Sequence, residues 1–178
     1  LQQLLLKDDC YIPGYKNEDP ADLARTAQVS AGSEKQPAAN VINGVSRTVG
    51  EDENCWQSDG LAGDNGVLSL RGDTPRTLRQ VRLTFDPNLC SSIKITLSSK
   101  RIAEQVPGVP PELVRDYDVE LLKDGQVLAS RSVRGNYQRL NVLSFDACDC
   151  DEVRLHVLAT NGIADARVYE VRAYEQAD

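Results

Sequence analysis

Asn40-Val-Ile-Asn-Gly-Val-Ser-Arg-Thr-Val-Gly-Glu-Asp-Glu-Asn-Cys-Trp-Gln-Ser58 has too few spaced apolar residues for a helix and too many turn formers for one strand. Asn43-Gly44 reads as a turn, because both residues tolerate positive φ. Glu51, Asp52, Glu53 and Asn54 then set four oxygen-bearing side chains in a row before Trp56, the only tryptophan in the chain. Trp56 is expected to be buried. A long polar loop ending on a buried aromatic is read as a ligand or metal loop pinned to a core.

Beyond this loop the sequence reads as β. Val81, Leu83 and Phe85 alternate with Arg82 and Thr84, and Ile93, Ile95 and Leu97 with Lys94, Thr96 and Ser98. Tyr117, Val119 and Leu121 lead to Asp124-Gly125 and the returning Val127-Leu128-Ala129, a hairpin signal. Gly66–Leu70, Leu140–Phe145, Val153–Val157 and Ala166–Tyr174 complete the set, while the prolines at 107, 110 and 111 make 100–112 an excursion. About eight strands and almost no helix predict an all-β, antiparallel two-sheet sandwich of jelly-roll type. Ahead of it, Thr26–Ser30 alternates like a first strand, and Asp22–Ala27 and Ala38–Ile42 read as helical turns. Leu1-Gln-Gln-Leu-Leu-Leu-Lys7 has helical spacing and is stopped by Pro13-Gly14, so residues 1–20 are read as the tail of a preceding module and its connector. The sandwich is expected over residues 21–178.

The 178 residues suffice for one domain with a sizeable core. A net charge of −7 argues against nucleic-acid backbones, and no apolar run approaches a membrane span. Cys10, Cys55, Cys90, Cys148 and Cys150 are odd in number, and the Cys148-x-Cys150 spacing suits neither a redox motif nor a zinc site. They read as free thiols in a domain that does not depend on disulfides.

Asn43-Gly44, Asn54, Trp56 and Ser58 resemble the opening loop of the galactose-binding-like sandwiches, the discoidin or coagulation-factor C-type domains and related carbohydrate-binding modules. Gly135-Asn136, Phe145, Val153-Arg-Leu155 and Val168-Tyr-Glu-Val171 extend the resemblance. More closely, L-L-L-K-D-D-C-Y-I-P-G, D-L-A-R-T-A, N-V-I-N-G-V-S-R, L-T-F-D-P-N-L, G-N-Y-Q-R, A-T-N-G and V-Y-E-V-R-A-Y look like the C-terminal part of large bacterial FAD-dependent oxidoreductase-like proteins. FAD would belong to an upstream flavin domain, since no G-x-G-x-x-G occurs in these residues.

The resemblance implies a structural calcium at Asn43, Asn54, Ser58 and Glu170, tying the loop to the final strand. An Arg47–Glu170 ion pair without metal is the competing reading. Glu170 is expected to meet the 40–58 loop in either case, sharing a strand face with Val168 and Arg172. Glycan binding is the second implied function. Its candidates are Arg134, Asn136, Tyr137 and Arg139 in one loop and Arg71 with Asp73 in another, with Tyr137 placed in packing rather than as a stacking platform. Arg71-Gly72-Asp73 reads as a tight turn, and His156 as a surface residue. No nucleophile or metalloprotease motif occurs, and no carboxylate pair stands out among the 27 acidic residues. The expected function is a non-catalytic accessory domain that binds carbohydrate, exported to periplasm or exterior. A structural module packed on the flavin domain is the alternative.

Overall fold

A computed structural model describes residue 16 and residues 18–91 and 95–176. Among the described residues seven strands form one hydrogen-bonded sheet: β1 Gln28–Ala31, β2 Trp56–Gln57, β3 Val67–Phe85, β4 Val114–Lys123, β5 Gln126–Val133, β6 Leu140–Thr160 and β7 Arg167–Tyr174. The order is β2-β7-β3-β6-β4-β5, with β1 also on β3, and every pairing is antiparallel.

The sandwich is made by folding one long ladder over on itself. Val67–Arg71 of β3 pairs with β1 and with residues 152–156 of β6. Gln80–Phe85 pairs with β7 and with residues 140–144 of β6. Register breaks between Arg71 and Arg76 and between Leu78 and Gln80 bend the ladder there. The two halves then face each other. Phe85 from one half meets Tyr117 of β4, paired in the other, edge to face at 5.0 Å. Leu68, Leu70, Val119, Leu155 and Val157 share one core with Val81, Leu83, Val168 and Val171.

What reads in the sequence as two short strands on either side of Arg71-Gly72-Asp73 is therefore one bent strand, and so is the pair 140–145 and 153–157. Arg71-Gly72-Asp73 belongs to the bend rather than to a closing turn. The hairpin forms as expected, with Asp124 and Gly125 at φ 51° and 78° between β4 and β5. The helical turns appear as 3-10 segments, Leu23–Thr26 and Ala38–Ile42, the first capped by the Asp22 side chain. The strand expected around Ile95 and Leu97 is a correction. Both side chains are exposed outside any strand, and alternation without a covering layer gives a strand nothing to bury. Residues 92–94 of that segment lie outside the described residues, as do the Leu1–Lys7 helix and Cys10. The excursion 100–112 carries one short helix, α1 Ser99–Ala103, reaching into it.

The bend marks one end of the sandwich, and the described ends of the chain gather there. Tyr174 Oη donates to Asp19 at 3.1 Å, and the Ala173 amide donates to Asp22. At the opposite end lie the 40–58 loop, the 86–91 segment, and the loops 134–139 and 160–166, around the Phe85–Val168 pairing. Among the described residues no helix is long and apolar enough to cross a membrane.

Candidate functional site

Trp56 organises the loop end. Its ring is fully buried, its indole N–H donates to the Ser33 carbonyl at 2.9 Å, and its backbone pairs with Val168. The preceding loop is braced internally. Asn43 Oδ1 accepts from the Val45 amide at 2.7 Å, and Asn43 Nδ2 donates to Asn54 Oδ1 at 3.2 Å. Gly44 and Asn54 adopt φ of 81° and 54°, as the turn chemistry requires.

Beside this loop lies a polar cavity of about 150 Å³, lined by Thr48, Glu53 and Cys55 of the loop, by Asp86, Asn88, Leu89 and Cys90, and by Arg167 and Tyr169 of β7. β3 ends at Phe85, so Asp86-Pro87-Asn88 turns over the cavity mouth; the Asn88 amide is held by Asp86 Oδ1 at 2.7 Å. Arg167 lies 3.5 Å from the buried Asp86 carboxylate. Thr48 Oγ1 and Tyr169 Oη share a hydrogen bond of 3.0 Å. Asn88 Nδ2 donates to Glu112 Oε1 at 2.6 Å. Arg139 flanks the site, its guanidinium 6.0 Å from the Tyr169 ring centre and donating to the Ser46 carbonyl. Two of the lining residues each hold one buried polar atom without a partner, Glu53 Oε2 and Arg167 Nε. Burial, with Asp86 and Glu53 adding to it, pushes the Cys55 thiol up to about 12, so it stays protonated. Burial also lifts the Tyr169 phenol to about 12, against the Thr48 hydrogen bond.

The cavity therefore offers carboxylates, a guanidinium, an amide and hydroxyls around a space for about one six-membered ring. Several solved structures share its framework. The lectin domain of lectinolysin complexed with Lewis B antigen has a TM-score of 0.63 at 16% identity, covering 92% of this chain and 100% of that one. A fucose-binding module from Streptococcus pneumoniae has a TM-score of 0.63 at 10% identity, covering 91% and 100%. The family 32 carbohydrate-binding module of C. perfringens NanJ in complex with galactose has a TM-score of 0.58 at 18% identity, covering 87% and 98%. The chain has the galactose-binding-like fold of these modules. No family profile and no curated protein sequence matches it.

The residues singled out in the sequence are dispersed over this fold. Arg71 and Asp73 sit at the bend; Arg71 binds Glu152 at 2.7 Å, and Asp73 accepts from Gln28 at 3.4 Å. Arg134 is tied to Asp118 at 2.8 Å and to the Tyr117 carbonyl. Asn136 is buried and donates to the carbonyls of Val114 and Gln138, so its amide braces the loop rather than facing a ligand. Tyr137 is 69% exposed, against the packing role expected for it. Only Arg139 adjoins the cavity.

The calcium set does not come together. Asn43 and Asn54 pair with each other, while Ser58 Oγ donates to the Gly60 carbonyl and accepts from Ala166. Glu170 is buried, and both its oxygens accept from Arg172 Nη2, at 2.7 and 2.8 Å, with Thr84 Oγ1 at 3.5 Å. A guanidinium on both carboxylate oxygens repels a cation. The expected tie from Glu170 to the 40–58 loop is thus corrected to a bond within β7. Arg172 lies two residues along the same strand face, while the register shift at Thr84/Phe85 turns Val168 into the core with Val171, away from Glu170. Among the described residues no group of three or more His, Cys, Asp or Glu is arranged to hold a metal ion.

Glu53 was visible as one of four consecutive polar residues, but Asp86, Asn88, Arg167 and Tyr169 carried no site signal. Asp86-Pro87-Asn88 reads as a turn, and Arg167 and Tyr169 read as strand.

Proposed function

We propose that this chain is a non-catalytic carbohydrate-binding module whose ligand enters the loop-end cavity. The observation that carries the reading is the loop-end cavity, which brings Glu53, Asp86 and Arg167 together with Asn88, Thr48 and Tyr169. Carboxylates, a guanidinium, an amide and hydroxyls in one lining suit a hydroxyl-rich guest. The fold likeness to modules crystallised with galactose and Lewis B antigen supports the same class of ligand. A glycan array followed by affinity electrophoresis tests it. The chain is expected to be retarded by at least one glycan. Arg167→Ala should abolish the retardation, and Arg71→Ala, at the bend, should keep it. Retention lost only in Arg71→Ala would move the site to the other end.

The finer reading, that the module accompanies an FAD-dependent oxidoreductase-like domain in an exported protein, rests on the sequence resemblance alone. It predicts a G-x-G-x-x-G after a strand in residues encoded upstream of Leu1, and recovery of the protein from periplasm or medium on fractionation. Co-purification with the flavin domain and no retained glycan would favour a structural module instead.

A further inference from the structure

The charges around the cavity narrow the class of sugar, given the carbohydrate reading above. We propose that the cavity holds one sugar ring by a vicinal diol, with Glu53 accepting from one hydroxyl and Arg167 donating to the next, and that it rejects sugars bearing a carboxylate. A single hydroxyl both donates and accepts, and two neighbouring hydroxyls answer a carboxylate acceptor and a guanidinium donor that line one cavity. The volume of about 150 Å³ admits one ring, so recognition is end-on rather than along a chain.

The charge balance excludes the acids. Glu53 and Asp86 line the cavity, and Glu112 stands behind Asn88 with its Oε2 also buried and without a partner. Among the described residues, the guanidiniums set against these three carboxylates are Arg167, beside Asp86, and Arg139, directed to the Ser46 carbonyl and the Tyr169 ring. A ligand carboxylate entering here meets like charge at reduced dielectric, whereas a neutral hydroxyl donates a hydrogen bond to Glu53.

The test uses matched pairs differing only at C6: galactose against galacturonic acid, and glucose against glucuronic acid, titrated by calorimetry at pH 7. In at least one pair the neutral sugar should bind about tenfold or more tighter than its acid. Glu53→Gln should weaken the neutral sugar and shrink that ratio several-fold, with its melting temperature confirming an intact fold. Should Glu53→Gln fail to fold, wild-type titrations from 20 to 500 mM salt replace it: the acid should gain on the neutral sugar as repulsion is screened. Equal or tighter binding of the acid, or a ratio untouched by both Glu53→Gln and salt, overturns the diol assignment and leaves the carbohydrate reading standing. A cavity that holds only water binds no sugar in these pairs or on the array, and that result overturns both.

Discussion

Glu152 shows how one side chain at the bend ties stability to pH. It is buried between Arg71, at 2.7 Å, and Arg154, at 2.8 Å. Burial alone would raise its carboxyl, but the Arg71 hydrogen bond and the Arg154 charge outweigh it and hold the group below the ordinary range. A depressed carboxylate contributes stability that is complete above the unfolded value, about 4.3, and is lost as pH falls through the folded one. Melting temperatures measured from pH 7 to pH 3 should therefore fall below about pH 4.3, with the steep part displaced upward in Arg71→Ala. An unshifted profile in that variant would mean Arg154 suffices. Glu170 makes the complementary point about legibility. Its burial and its need for a cation follow from a carboxylate among apolar strand neighbours. The identity of that cation does not, because Arg172 two residues along β7 and the 40–58 loop were both within reach of it, and only the folded packing decides between them. Glu170→Ala should cost about 1–3 kcal/mol by leaving the Arg172 guanidinium half-buried without its acceptor, measured by urea unfolding.

At the scale of elements, the hairpin and the alternating halves of β3, β4, β6 and β7 were legible because apolar period and turn chemistry are local. The bend was not. Pairing partners on both sides of β3 decide that it is one strand, and those partners are distant in sequence. The tight crossing beside β1 was likewise silent. At Gly32 an added Cβ would stand 1.8 Å from the Asp64 carbonyl oxygen, and at Gly66 it would stand 2.4 Å from that of Val157. Both contacts are with backbone, which cannot swing aside. Gly32→Ala should lower the urea midpoint by an amount corresponding to about 2 kcal/mol or more, in the range of overpacked sites. Gly60→Ala, whose Cβ meets nothing within 4 Å, should cost only the strain of its φ of 81° and stay near 1 kcal/mol. Equal losses would show that the crossing relaxes.

For the whole molecule, the sandwich was legible from strand count and turn spacing, while the site was not. Its lining is drawn from the 40–58 loop, the 86–90 turn and β7, which come together only on folding. Two bulk measurements follow. Removing divalent ions with EDTA should leave the melting temperature within about a degree, since the amides and carboxylate assigned to calcium are bonded to protein groups. A bound sugar, by contrast, should raise stability by about 2.7 kcal/mol at a hundred times its Kd. A drop of about 10 °C in EDTA would restore the metal. Both are read by the same thermal scan.

The gathering of Asp19, Asp22 and Tyr174 at the bend has a geometric consequence for how such a module works when tethered. From Tyr169 at the cavity to Tyr174 the final strand runs five residues, about 17 Å, so an anchor at either described end holds the cavity at the far pole, facing outward. Copies fixed side by side on a bead or sensor surface would present their cavities in parallel to a glycosylated face. If the proposed sugar binds, a ring-sized cavity on each copy gains from avidity, with the spacing of anchors setting the effective concentration.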